Sequence, residues 1–126
     1  MEPIQITKIH EQHYHDQHLD LDFGNKTALL DSEPLTLTRK EYDLLAFLIE
    51  HAGELVTREI SLLRVWGYSN QIRTRTLDVH ILRLRRKLGE HRGKYIETIF
   101  NAGYRFQPFR APQLVTRQPQ MFALSA

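Results

Sequence analysis

Between Leu19 and Leu37 apolar and polar residues take turns along the chain. Leu19, Leu21 and Phe23 are separated by Asp20 and Asp22, Thr27 to Leu30 form a second short segment, and Leu35 and Leu37 alternate again. A period of two marks half-buried strands. Gly24-Asn25 and Asp31 to Pro34 supply turn chemistry between them. The stretch therefore predicts a small antiparallel sheet of about three or four strands. At Thr38 the period changes to that of a helix. Thr38-Arg39-Lys40-Glu41 reads as a capping box, Tyr42, Leu45, Leu48 and Ile49 form the apolar stripe with Leu44 and Phe47, and Gly53 stands at the stop. A second helix follows Thr57, running through Ile60, Leu63 and Val65 to Trp66, with Gly67 ending it. After a polar connection the third begins, capped by Thr74 or Thr76, with Leu77, Ile81, Leu84 and Leu88 on one stripe and Gly89 as its stop. Tyr95 to Ile99 and Tyr104 to Phe106 then flank Phe100-Asn101-Ala102-Gly103, a β-hairpin signal.

The order is sheet, helix, helix, helix, hairpin. The fold class is α+β: a small N-terminal antiparallel sheet, three helices and a C-terminal hairpin, which is a winged helix-turn-helix. The connection over 67–74 is longer than the usual tight turn. The chain divides into a polar, His-rich arm (1–18), the winged-helix domain (19–107) and a C-terminal tail (108–126). The 126 residues suffice for one ordinary core.

Charge gives the third helix its meaning. Opposite its leucine stripe lie Arg75, Val79, Leu82, Arg83 and Arg86, with Thr76 and His80 at the edges. Guanidinium forks match guanine edges and phosphates, and Val and Thr methyls touch thymine methyls. The net charge of +2 conceals an asymmetry. Residues 1–57 hold 4 Lys/Arg against 11 Asp/Glu, whereas residues 58–110 hold 12 against 4. A solvated basic face is the bland alternative, and a membrane surface would also attract such charge. The narrow leucine stripe, however, is consumed by a core, so a nucleic acid fits best. Without cysteine there is no disulfide or thiolate site. No apolar run spans a bilayer and no signal-peptide core is present. These features point to a cytoplasmic protein.

The segments LTRKEYDLLAFLIEHAGELVTRE, VWGY, RTLDVHILRLRRKLG and IETIFNAGYRF carry a family likeness. Over about residues 19–107 the chain resembles the C-terminal effector domain of OmpR/PhoB-class bacterial response regulators. The resemblance implies a sequence-specific double-stranded DNA-binding transcriptional regulator of two-component (phosphorelay) type. It would read the major groove with helix 74–88 and bind direct-repeat half-sites as a head-to-tail dimer. Thr76, Val79 and Arg83 match base-approaching positions, with Leu82 on the same groove face. Arg58, Trp66, Arg75, Arg85, Arg86 and Thr98 match backbone-contacting positions, and loop 67–74 matches one that touches RNA polymerase in some relatives. Two departures stand out, because Leu82 and Phe100 occupy places where many relatives carry Arg. Fewer ionic contacts imply a shallower salt dependence. Relatives also carry a receiver domain, which this length does not accommodate; the expectation is an effector-only regulator or a piece of a longer chain.

Other constellations carry less. His10, His13, His15 and His18 are metal-ligand types, with helical offsets between His10 and His13 and between His15 and His18. Tyr14 nevertheless stands where the zinc-protease pattern needs its second His, and a solvated arm without metal is expected. No phosphate-cradling loop or paired nucleophile suggests an enzyme, and no cofactor is expected. Trp66 and Tyr104 serve core packing at least as well as DNA contact, with packing preferred for Tyr104. His80 suits either a phosphate contact or a structural hydrogen bond. The competing function is a winged helix used for protein docking through Leu82 and Phe100.

Overall fold

The computed structural model describes residues 12–67 and 74–109. Strands β1 (His13–His15), β2 (Leu19–Asp22), β3 (Thr27–Leu30) and β4 (Glu33–Pro34) form an antiparallel sheet in that order. Helix α1 (Arg39–Glu50) follows, then β5 (Leu55–Thr57), α2 (Arg58–Trp66) and α3 (Thr74–Leu88). A 3-10 turn (Gly89–His91) and a short helix α4 (Arg92–Tyr95) lead to β6 (Ile96–Ile99) and β7 (Gly103–Phe106). The last two strands pair with β5 in the order β5-β7-β6.

The expected sheet starts earlier than residue 19. Tyr14 is buried between exposed His13 and His15 and pairs with Leu21, so β1 extends the sheet into the predicted arm. The alternation is one residue long on its apolar side, too brief to register against four polar histidines. The far end differs too. Pro34 has no N–H to give a ladder, so β4 is a two-residue edge strand, and Leu35 and Leu37 pack on the core from outside any strand. Tyr95 ends α4 rather than opening β6; it is wholly buried and stacked on Phe106 at 5.5 Å.

Helix α1 occupies the middle of the molecule. Tyr42, Leu44, Leu45, Phe47, Leu48 and Ile49 are all buried. Its start follows from the predicted capping box: Thr38 Oγ1 accepts from the Glu41 N–H at 3.2 Å, and Glu41 Oε1 accepts from the Thr38 N–H at 2.9 Å. Such a cap contributes about 1 kcal/mol. Thr57 closes β5 and caps α2, accepting from the Ile60 N–H at 3.1 Å. The α3 helix begins at Thr74, so Thr74 and Thr76 both lie in its first turn rather than at the cap, and position 73 lies outside the described residues.

Asp16 ties the N-terminal strand to the C-terminal end of the fold. Its carboxylate accepts from the N–H groups of His18 (2.8 Å), Leu19 (2.9 Å) and Phe109 (3.3 Å), and from the hydroxyls of Tyr14 (2.5 Å) and Tyr95 (2.7 Å). Burial raises its pKa, but the bonds from Tyr14, Tyr95, Leu19 and His18 outweigh burial and hold it below the ordinary 3.8. A carboxyl depressed by folding stabilises the fold at every pH above its unfolded value and loses that contribution as pH falls through its folded value. Wild type should therefore lose stability on acidification below about pH 4, and Asp16→Asn should lose less over the same interval. Urea midpoints measured from about pH 6 to about pH 2 check this. Parallel curves for the two proteins would reject the assignment.

Candidate nucleic-acid interface

The third helix turns its two faces as its residues demand. Leu77, Ile81, Leu84 and Leu88 are at most 1% exposed. On the other side Arg75, Arg83 and Arg86 are exposed, Val79 and Thr76 half-buried, and Leu82 is 48% exposed. Arg75, Thr76, Val79, His80 and Arg83 line one shallow, open depression. Among the described residues, no carboxylate forms an ion pair with Arg75, Arg83 or Arg86. These cations therefore keep their charge for an external partner, at the place where the chain is most basic.

The other expected contacts divide into free and engaged groups. Arg85 was expected at phosphate, but its Nη2 donates to the Ile96 carbonyl at 2.7 Å and to Thr98 Oγ1 at 2.8 Å. It thereby joins α3 to the first strand of the hairpin, and Thr98 is its partner on the wing. Arg58 is also engaged, its Nε donating to Asp78 Oδ1 at 3.3 Å while its guanidinium lies 5.3 Å from the centre of the Tyr104 ring. Arg85 lies 5.8 Å from the same ring. Tyr104 is buried, as preferred from the sequence, and its hydroxyl donates to Asp78. Burial first, and the Asp78 carboxylate second, push its pKa up to about 12, so it stays a donor. Asp78, Tyr104, Arg58 and Arg85 thus join α2, α3 and the wing into one body.

Trp66 is half-buried and meets His80 edge-on, with ring centres 4.9 Å apart. His80 Nδ1 lies 2.8 Å from the Thr76 carbonyl, an acceptor, so this nitrogen carries the proton. Of the two roles allowed for His80, the structural hydrogen bond is made. The wing turn is tight: Asn101 takes φ 60, a conformation Asn tolerates. Phe100 is 85% exposed at its tip and so does not pack. Of the connection 67–74, only Gly67 and Thr74 belong to the described residues.

Sequence reasoning missed Asp78, the acidic residue within the basic helix. An unpaired sign among arginines was the available signal. It also missed β5, whose three residues sit between two helices and show no periodicity of their own.

Residues 32–106 match the family described as "Transcriptional regulatory protein, C terminal". The chain belongs to this family. The fold agrees with its OmpR/PhoB-type members. Among solved structures, the RstA DNA-binding domain of Klebsiella pneumoniae, crystallised with the RstA box, is 31% identical with a TM-score of 0.70. The match covers 78% of this chain and 99% of that one. The DNA-binding domain of CpxR from E. coli is 31% identical with a TM-score of 0.67, covering 76% and 96%. Among curated proteins, the transcriptional regulatory protein VxrB of Vibrio cholerae is 42% identical over 89 residues, which is 71% of this chain and 35% of VxrB. The match to this chain spans about a third of the length of these curated relatives. Among the described residues, no helix is long and apolar enough to cross a membrane.

Proposed function

We propose that this chain is the effector domain of a bacterial transcriptional regulator of two-component type, acting in the cytoplasm. It reads double-stranded DNA sequence-specifically by laying α3 in the major groove. The observation that carries this is the exposed face of α3 bearing Arg75, Arg83 and Arg86, which pair with no carboxylate among the described residues, beside a helix-braced wing. The RstA domain, solved with its RstA box, supports it by likeness.

Within this reading Arg83 takes base edges, with Thr76, Val79 and Leu82 supplying methyl contacts. Arg75, Arg86, Trp66 and Thr98 hold the backbone, and Arg58 reaches phosphate while keeping its place over Tyr104. Arg85 holds the wing against α3 through one guanidinium nitrogen and reaches phosphate with the rest of the fork. Direct-repeat half-sites, a head-to-tail pair and contact of loop 67–74 with RNA polymerase extend the proposal.

Cognate duplexes selected from a random pool provide the test. Arg83→Ala should weaken cognate binding by about 1–3 kcal/mol and relax the preference at one base position. Arg75→Ala and Arg86→Ala should weaken cognate and random duplexes alike, each lowering the log–log salt slope by about one. Fluorescence anisotropy across a salt series measures both. Undiminished cognate affinity in Arg83→Ala would remove it from base reading.

A further inference from the structure

His18, Asp31 and His91 lie far apart in sequence and meet at one point. His18 comes from the loop between β1 and β2, Asp31 from the turn between β3 and β4, and His91 from the 3-10 turn that follows α3. His18 Nδ1 lies 2.5 Å from one oxygen of the Asp31 carboxylate and His91 Nε2 lies 2.9 Å from the other. The two imidazoles stack with centres 4.1 Å apart and planes 26° from parallel. One donor atom from each residue falls within 4.8 Å of the others.

Of the two helical histidine pairs read from the sequence, His15 and His18 share no helix, and His10 of the other lies outside the described residues; His13 and His15 sit on β1, where both approach Asp20. His18 instead leaves that group for a partner in another part of the fold. We propose that His18, Asp31 and His91 bind a divalent transition-metal ion of zinc type, with the imidazole nitrogens and one carboxylate oxygen as ligands. Two imidazoles with one carboxylate are a donor set for zinc, nickel, cobalt or copper, and a poor one for calcium or magnesium, which take oxygen.

The surroundings suit such an ion. His91 is buried, the His18 side chain 20% exposed and that of Asp31 48% exposed, so the ligands are ordered on one side and reachable from the other. Phe109 closes the apolar side, its ring edge-on to His18 at 4.5 Å. Glu90 Oε2 lies 3.9 Å from His91 Nε2 on an exposed side chain, available as a fourth ligand. With neutral imidazoles the two carboxylates match the charge of one divalent ion. Tetrahedral zinc at its usual bond lengths needs ligand atoms roughly 3.3 Å apart, so the longest separation has to close by no more than roughly 1.5 Å. The Asp31 N–H already donates to the His18 carbonyl at 2.7 Å, which keeps the two ligands in register. A bound ion would fasten the N-terminal sheet to the segment that follows the DNA-facing helix.

The test uses the full chain with zinc chloride in a calorimeter and with cobalt chloride followed by visible absorption. Wild type should bind one ion per chain saturably, show cobalt d–d bands, and melt at a higher temperature with zinc present. His18→Gln and Asp31→Asn should each lose at least about tenfold in affinity and the zinc-dependent rise in melting temperature. Both residues are more exposed than His91, and far-ultraviolet circular dichroism confirms that the variants fold. His13→Ala and His15→Ala should bind as wild type does. No saturable binding in wild type would overturn the proposal. So would undiminished binding in both ligand variants, or binding that disappears with His13 and His15. None of these results bears on DNA reading by α3.

Discussion

Gly103→Ala should cost the fold about 3 kcal/mol or more, the largest loss expected of any single methyl group added to this protein. Gly103 opens β7, the central strand of the second sheet, and pairs with Thr57 on one side and Ile99 on the other. A Cβ there would stand 2.1 Å from the Val56 carbonyl oxygen and 2.9 Å from Thr57 Cα. Both obstacles are backbone, so no side-chain rotation relieves them. Backing β7 away would break its pairing with β5 and pull the wing from α3, because Arg85 reaches the wing through Ile96 and Thr98. Urea denaturation should show a lower midpoint, and duplex DNA affinity should fall with it. Gly93→Ala is the control: nothing lies within 4 Å of its added Cβ, and the site is helical. It should be neutral or slightly stabilising. If Gly103→Ala melts as wild type does, the close approach of β5 to β7 is wrong.

This contact also shows where the sequence could be read and where it could not. The alternation over Leu19–Phe23, the capping box at Thr38–Glu41 and the stripe Leu77, Ile81, Leu84, Leu88 are local patterns, and each became the element it predicts. The exposed arginines of α3 followed from that stripe, since burying one face of a helix fixes the other. What stayed hidden depends on residues distant in the chain. Gly103 read as turn chemistry, whereas its lack of a side chain matters because β5 passes over it. Arg85 read as one more cation, and only the position of the wing shows that it is engaged. His18 read as part of a polar arm, although its partners stand at positions 31 and 91. Periodicity reports which face is inward, not what meets a polar group once it arrives.

Lys87→Met should destabilise the domain by about 3 kcal/mol at neutral pH, although Lys87 lies in the last turn of the basic helix. Its Nζ lies 2.6 Å from Glu41 Oε1, and the Glu41 side chain is only 2% exposed. Burial raises the Glu41 pKa, but the bonds from Lys87 and the Thr38 N–H, with the Lys87 charge, outweigh it and hold the carboxyl below the ordinary 4.5. Removing Lys87 leaves a buried carboxylate with one N–H for company, a far worse state than the pair. The sign with pH follows. In wild type the pair stabilises the fold above about pH 4.5 and fades as pH falls through the lower folded value. In Lys87→Met burial outweighs what the Thr38 N–H and His80 still supply and raises the Glu41 pKa, so the variant's deficit should shrink on acidification as that carboxyl takes up a proton. Glu41→Leu combined with Lys87→Met should recover much of the loss, because no uncompensated charge remains. Chemical denaturation of the three variants at about pH 7 and about pH 4 distinguishes these outcomes. A deficit that stays constant with pH would mean that Lys87 acts by packing its stem rather than by its charge. The pair links the first turn of α1 to the last turn of α3, so it fixes how the central helix holds the basic one. Glu41→Gln should preserve the Thr38 bond and leave Lys87 to solvent, giving a smaller loss than Lys87→Met.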